Sequence, residues 1–253
     1  MLRIMSLNLN YDGDRHGPWS ERRKTIAREI ASAQPDIIAL QAVYKAPDDY
    51  YGVDQATQLA ALIPSPIYRH IYFQPAVNTP DGGAAGSAIL SRIPFVDIHY
   101  TPLTLIPDLE DTNRRVLLTA TFDFRFTPFY LFNGHFSWVS AQAEMNVKEV
   151  LPTIDVHRRP ALLIGDLSQT PGSPAMQRLA REDWADIWAM LCSQKNGYTF
   201  EAGNLSKRID YAWANFELKP RVRSIELIGD NPSPGAPHLS DHLGLMVTLD
   251  LMS

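Results

Sequence analysis

Apolar residues recur along the chain in short runs, and polar residues cut those runs at their ends. LRIMSLNL (2–9) reads as a buried opening strand, and SERRKTIAREIASA (20–33) places Ile26, Ala27 and Ile30 at helical spacing. Ser20 occupies the N-cap position of that helix, with Arg23 three residues on instead of the Glu of a capping box. Pro35 ends the helix and DIIALQAV (36–43) follows as a strand. DQATQLAALI (54–63) is a second helix. YRHIYFQP (68–75), GSAILSR (86–92) and FVDIHYTPLTL (95–105) are strands. RRVLLTATFDF (114–124) and PFYLFNGHF (128–136) form two apolar strands joined by a turn at RFTP. SAQAEMNVKEVLPTI (140–154) is a helix, PALLIGDL (160–167) an apolar strand and SPAMQRLA (173–180) a helix. RIDYAWAN (208–215), RVRSIELI (221–228) and LGLMVTLDL (243–251) close the chain as strands. Hairpin-like pairs mixed with strand–helix units, many apolar on both faces, predict an α/β (α+β) protein: two packed mixed β-sheets with helices outside. With no linker or repeat to divide it, residues 1–253 are expected to form one domain.

Charge and cysteine content narrow the possibilities. The formal net charge of −5 argues against sequence-blind coating of nucleic acid, while leaving room for a local basic groove. The single cysteine, Cys192, excludes an internal disulfide and reads as a core residue within DIWAMLC. The opening MLRIMSLNLN turns polar too soon for a signal peptide, and no apolar stretch reaches the roughly 20 residues that cross a bilayer. A cytoplasmic protein acting as a monomer, away from membranes, is the expectation.

The informative positions are those where polar residues interrupt apolar strands. Asn8 and Asn10 end the first strand, Asn133 and His135 end FYLFNGH, and Asp166 ends ALLIGD. Asp210 lies within RIDYAW, and Ser240, Asp241 and His242 precede the last strand. Each alone has a plainer use: an Asp after a strand caps a turn, and a lone His makes an ordinary hydrogen bond. Together, two His, three Asp and three Asn at strand ends fit a hydrolytic site. Carboxylate and amide oxygens suit Mg²⁺ or Mn²⁺, and imidazoles suit proton transfer or oxyanion stabilisation.

Nine pieces, in order, are SLNLN, RRKTIAREIASAQPDIIALQAV, GSAILSRIP, NGHF, LLIGDLSQTPGSPAMQRL, ADIWAMLC, GYTF, KRIDYAWAN and SDHLGLMV. With them the chain resembles the endonuclease/exonuclease/phosphatase superfamily of DNase I-like metal-dependent hydrolases. No piece is specific alone; their order and spacing carry the resemblance over nearly the whole chain. It implies a four-layer sandwich with the site at one edge, and hydrolysis of a phosphate ester, usually Mg²⁺-dependent, by in-line attack of water. It also implies roles. Asn8 matches an Asn near the metal, and Asn10 falls where some members have a metal-linked Asp. His135 matches the His of an Asn-Thr-His triplet, and Asp166 the Asp that positions or deprotonates the attacking water. Asp241 matches a metal-associated Asp, His242 the His that contacts the scissile phosphate, and Asp210 the Asp that orients it. An Asp behind His242 fixes its tautomer and raises its pKa.

Two positions depart from that pattern. Ala42 stands where the family carries its principal metal-binding Glu, and Ser168 stands where it carries the Asn of Gly-Asp-Phe-Asn. A methyl group neither coordinates Mg²⁺ nor balances its charge. Three readings stay open: a Glu replaced to inactivate the protein, a homologue that kept the fold as a binding module, or an active enzyme whose cation is held by Asn8, Asn10 and Asp241. All three imply weakened metal binding. The substrate, with nucleic acid among the possibilities, is a phosphate ester contacted by Arg114 and Arg115 in the loop before a core strand. HRRP (157–160) and KPRVR (219–223) read as solvated turns or strands, and NTPDGGAAG (78–86) as a mobile Gly-rich loop. Trp138 reads as a rim residue, Trp19 as an N′ staple of the first helix, and Tyr11 as a further aromatic able to stack on a base. LIPSPIY (62–68) is the one faint apolar loop for a lipid surface.

Overall fold

The structure, a computed structural model, describes residues 1–11, 16–63, 67–156, 158–230 and 237–252. Strands β1 (Leu2–Asn8), β2 (Ile37–Lys45), β3 (His70–Asn78), β4 (Ala84–Ser91), β11 (Val222–Ile228) and β12 (Gly244–Leu249) form one sheet in the order β11-β12-β1-β2-β4-β3. Strands β5 (Phe95–Leu103), β6 (Arg115–Phe124), β7 (Thr127–His135), β8 (Ala161–Asp166), β9 (Ala185–Asp186) and β10 (Asp210–Ala214) form the second, in the order β5-β6-β7-β8-β10-β9. Helices α1 (Trp19–Ala33) and α2 (Gln55–Leu62) cover the first sheet. Helices α3 (Ser140–Ile154) and α4 (Pro174–Arg181) cover the second, and the short α5 (Ile187–Leu191) follows β9.

The apolar-on-both-faces strands explain the four layers. Alternate residues of one strand point to opposite faces. In β1, Leu2 and Ile4 enter the core between the sheets with Leu118, Phe122, Leu131 and Ile164, while Met5 and Leu7 pack outward with Ile26, Ile30 and Leu59 of the helices. On the other outer face, Phe132 and Leu163 meet Val147 and Val150 of α3 and Leu179 of α4. The sandwich of two helix-flanked mixed sheets is thus the DNase I-like arrangement the sequence implied.

Local expectations needed correction. The N-cap of α1 is Pro18 with no side-chain cap, so Ser20 lies inside the helix. Trp19 is the first helical residue and not a staple before it; its Nε1 donates to Gln58 Oε1 of α2 at 2.8 Å. Cys192 ends α5 half-buried at the margin of the inter-sheet core. The Gly-rich tip is no long loop: Ala84–Gly86 already belong to β4, and Thr79 closes a turn onto Gly82 and Gly83. LIPSPIY and HRRP each run partly outside the described residues.

Strand direction then gathers the polar residues. The parallel pairs β1/β2 and β7/β8 end at the same edge, where antiparallel β6 and β10 begin and the segment before β12 arrives. Register sets His135 beside Asp166, Asp166 beside Asp210, and Asn8 beside Gln41.

Candidate active site

The edge is built around Asp166, which is buried. Its Oδ1 accepts from the Ser168 backbone N–H at 2.8 Å and the Ser168 hydroxyl at 3.0 Å. Its Oδ2 accepts from Asn8 Nδ2 at 2.8 Å across the sheet interface. His135 Nε2 lies 3.5 Å and His242 Nε2 3.8 Å from the same oxygen. Ser168 holds a left-handed backbone (φ 54), a conformation that tolerates Asn more readily than most residues. Its short hydroxyl nonetheless caps the carboxylate. The loop after Asp166 is tied down further: Gln169 Nε2 donates to the Ser137 and Trp138 carbonyls, and Tyr211 Oη donates to Gln169 O.

His242 and Asp210 form the second unit. The His242 Nδ1 to Asp210 Oδ2 separation is 2.9 Å, both residues are buried, and the Phe200 ring packs 4.9 Å from the imidazole. Burial disfavours the imidazolium, but the carboxylates of Asp210 and Asp166 outweigh it and raise His242 to about 10. Burial also pushes the Asp210 carboxyl up to about 6, against the pull of His242. We take the pair as imidazolium and carboxylate at neutral pH, with one negative charge facing one positive charge. For Asp166, burial works toward neutrality, and the nearby imidazoles of His242 and His135 with the Asn8 amide hold it below the ordinary carboxylate range. Enclosure pushes His135 down, and Arg115 adds to that, so His135 is neutral.

A bulge shapes the opposite wall. Leu40 pairs with Ala88 and Val43 with Gly86, so Gln41 and Ala42 together face one residue of β4. Ala42 takes φ 48. The extra residue turns Gln41 into the core and Ala42 toward the cleft. Gln41 Nε2 donates to Asn133 Oδ1 at 2.7 Å, and Asn133 Nδ2 donates to the carbonyls of Leu40 and Ala88 at 3.0 Å each. This polar seam pins the two sheets together at the floor of the site.

Two cavities open on either side of His135, His242 and Arg115, which line both. The first, about 200 Å³, is lined by Asn8, Asn10, Ala42, Asp241 and Arg114 among others. The second, about 580 Å³, is lined by Trp138, Phe200, Lys207 and Thr170. Trp138 is 52% exposed at the rim. Every residue singled out for the site from the sequence therefore meets at this edge or within the pair behind it. Arg115, however, is no loop residue: it opens β6, buried, with Nη2 2.9 Å from Asp111 Oδ2. Arg114 is the exposed one. Asp111, Gln41, Phe200 and Lys207 were not singled out. For Asp111 the signal was there, since DTNRR sets an Asp four residues before an Arg. The others come together only through loops and cross-sheet contacts.

The donor set fits a resident divalent cation poorly. Asn8 spends its amide on Asp166 and on the Asn10 N–H, which donates to Asn8 Oδ1 at 2.8 Å. Both Asp166 oxygens accept hydrogen bonds, and Asp210 is committed to His242. Asp166, Asp210 and His242 bring ligand atoms within 4.8 Å of one another, but as a buried, mutually paired group. In the first cavity, among the described residues, Asp241 is the one carboxylate, and one of its oxygens accepts from the Ser240 hydroxyl. Mg²⁺ needs near-octahedral oxygen ligation anchored by carboxylates, and Ala42 offers none.

A two-sheet sandwich with an Asp and two His converging where parallel strands end is the frame of the DNase I-like phosphoester hydrolases. Residues 5–242 match the model of the endonuclease/exonuclease/phosphatase family, and the chain belongs to that family. It is similar to a family protein from Leptotrichia buccalis C-1013-b, with 18% identity, TM-score 0.81, and 99% of this chain and 100% of that one covered. An endonuclease/exonuclease/phosphatase from Beutenbergia cavernae DSM 12333 shares 26% identity at TM-score 0.77, over 97% of this chain and 70% of that one. The mannosyl-6-phosphatase Bt3783 of Bacteroides thetaiotaomicron VPI-5482 shares the fold at 17% identity and TM-score 0.74, over 99% and 100% of the two chains. No curated protein matches the chain.

Proposed function

We propose that the protein hydrolyses phosphate esters, and that Asp166, His242 and Asp210 carry the reaction. The observation behind this reading is the Asp166 carboxylate held between two imidazoles, one of them braced by Asp210 at 2.9 Å. Water held at Asp166 attacks phosphorus and Asp166 takes its proton, while the bond from phosphorus to the alcohol oxygen breaks and that oxygen leaves as the alcohol, taking a proton from solvent. Negative charge gathers on the phosphoryl oxygens. The His242 imidazolium and the Arg115 guanidinium are preorganised to face it. Neutral His135 completes the wall beside Asp166. The family implies a divalent cation, whose chemistry would be charge neutralisation on those oxygens.

The test is a substrate panel containing p-nitrophenyl phosphate, bis-p-nitrophenyl phosphate and a single-stranded oligonucleotide, run on the wild type and on His242→Ala. Turnover of at least one ester, abolished by the substitution, is expected. Unchanged turnover in His242→Ala overturns the roles, and no turnover of any ester overturns the activity. Ala42 favours a second reading, a module that binds phosphate ligands in the same cleft without turnover.

A further inference from the structure

The side chains around the first cavity are arranged for an anion and not for a cation. Arg115 is the clearest case. Its Nε and Nη2 both donate to Asp111 Oδ2, at 3.3 and 2.9 Å. Ser137 Oγ donates to that same oxygen at 2.5 Å, and the backbone and side-chain N–H groups of Asn113 donate to Oδ1 at 3.0 and 2.9 Å. Asp111 is buried and both its oxygens are engaged, so it fixes the Nε–Nη2 edge of the guanidinium of Arg115, a residue that lines the cleft. A planar fork held this way presents donors to a tetrahedral oxyanion without losing rotamer freedom on binding. Arg114 adds a second guanidinium at the same cavity, exposed to solvent.

Against these two cations stands Asp241 as the lone carboxylate of the cavity among the described residues. A dication entering here meets the guanidiniums of Arg114 and Arg115 and the His242 ring against one facing carboxylate, and an anion meets the reverse; Asp111 and Asp210, bonded behind Arg115 and His242, offset only part of that excess. The usual remedy, an acid on the β2 bulge, is absent: Ala42 turns a methyl group to the cavity.

We propose that this cleft binds the phosphate group of its substrate directly on Arg115 and Arg114, with no divalent cation bridging protein and phosphate. The proposal rests on the phosphoester reading above for the identity of the anion, and it predicts that affinity for phosphate is independent of Mg²⁺. Replacing Ala42 by Glu restores an acid opposite Asp241 and converts the site to one that needs the cation.

Calorimetric titration of the full chain with inorganic phosphate, in excess EDTA and in excess MgCl₂, tests this. The expected result is binding in both, with Kd values within roughly threefold of each other because the cation has too few ligands to add affinity. Arg114→Ala, an exposed change, is expected to weaken binding by about fivefold, and Arg115→Lys, which keeps the charge opposite Asp111 but loses the fork, by about tenfold. Ala42→Glu is expected to bind Mg²⁺ and to hold phosphate at least about tenfold more tightly with Mg²⁺ than with EDTA. Binding by the wild type only in MgCl₂ overturns the proposal, as does binding in neither buffer or binding indifferent to both arginine changes. The hydrolysis reading fails separately. Phosphate bound in EDTA with no ester of the panel turned over keeps this proposal and removes that one, whereas turnover with phosphate bound only in MgCl₂ does the opposite.

Discussion

Asp210→Asn removes one charge from the His242 pair with almost no change of shape, at a position only 3% exposed. The energetics follow from the two pKa shifts. His242, raised to about 10, contributes stability that is fully present below its unfolded value of 6.5 and is lost as pH climbs through about 10. Asp210, raised to about 6, acts the other way, because its ionised form is disfavoured in the fold and costs stability above that pH. At neutral pH the His contribution exceeds the Asp cost, and the balance is on the order of 1 kcal/mol. With the amide in place, His242 keeps only Asp166, at 3.8 Å, and Asp241, at 3.9 Å, from its Nε2. Burial then wins and the ring loses its proton at a much lower pH.

Urea unfolding of the variant at neutral pH is therefore expected to show a loss on the order of 1 kcal/mol, which disappears near pH 8 and reverses toward pH 10, where the wild type has given up its His contribution but still carries the Asp210 cost. Turnover of whichever ester is hydrolysed should fall by at least about 10², since the same exchange behind a catalytic His costs about 10⁴ in a serine protease. The alkaline limb of the pH–rate profile should move down, and NMR titration of the ring should follow it. A His242 ring that stays protonated to the wild-type pH, with turnover unchanged, refutes the reasoning.

Two further outcomes concern the scaffold. Gly165 has φ 142, and a Cβ there would lie 2.0 Å from the Gly134 carbonyl oxygen, so Gly165→Ala should break the β7–β8 register beside Asp166 and cost about 3 kcal/mol or more. For a chain of this size that is a melting temperature roughly 6–12 °C lower, and an unchanged melting curve would show the close approach to be unimportant. Leu131→Ala, fully buried between the sheets, should cost about 2–5 kcal/mol while leaving phosphate affinity of the folded protein intact; a loss below about 1 kcal/mol in denaturant unfolding argues against the core assignment.

The elements were legible because burial is written in the strands themselves. ALLIGD and IIAL have no polar face, so each had to be covered on both sides, and the layers followed. The site residues were legible for the complementary reason: a polar residue ending such a run has nowhere to go but the edge. What escaped depends on partners far away in sequence. The β2 bulge exists only relative to β4, so the inward turn of Gln41 and the outward turn of Ala42 leave no local trace. Pro18 rather than Ser20 caps α1 because Arg22, buried in the first turn, is anchored by the Leu9 and Leu239 carbonyls, and no sequence rule sees those.

The same bulge explains why an alanine is tolerated where the resemblance implies an acid. The structural task at this corner belongs to the residue before it: Gln41 holds Asn133, and Asn133 satisfies the Leu40 and Ala88 carbonyls near the irregular pairing. Asn8, not residue 42, steadies Asp166. An acid at 42 would therefore face only the cleft, and its loss leaves no buried polar group unpaired and opens no gap in the apolar core. Stability is indifferent to the exchange, whereas the charge balance of the cavity is not: with Arg114, Arg115 and Asp241 in place, an alanine at 42 leaves it net positive, and a carboxylate there would bring it close to balance while adding a second acidic ligand. Position 42 thus sets which ion the cleft prefers, separately from whether the chain folds, and an Ala42→Glu protein should fold as well as the wild type while exchanging preference for an anion for preference for a cation.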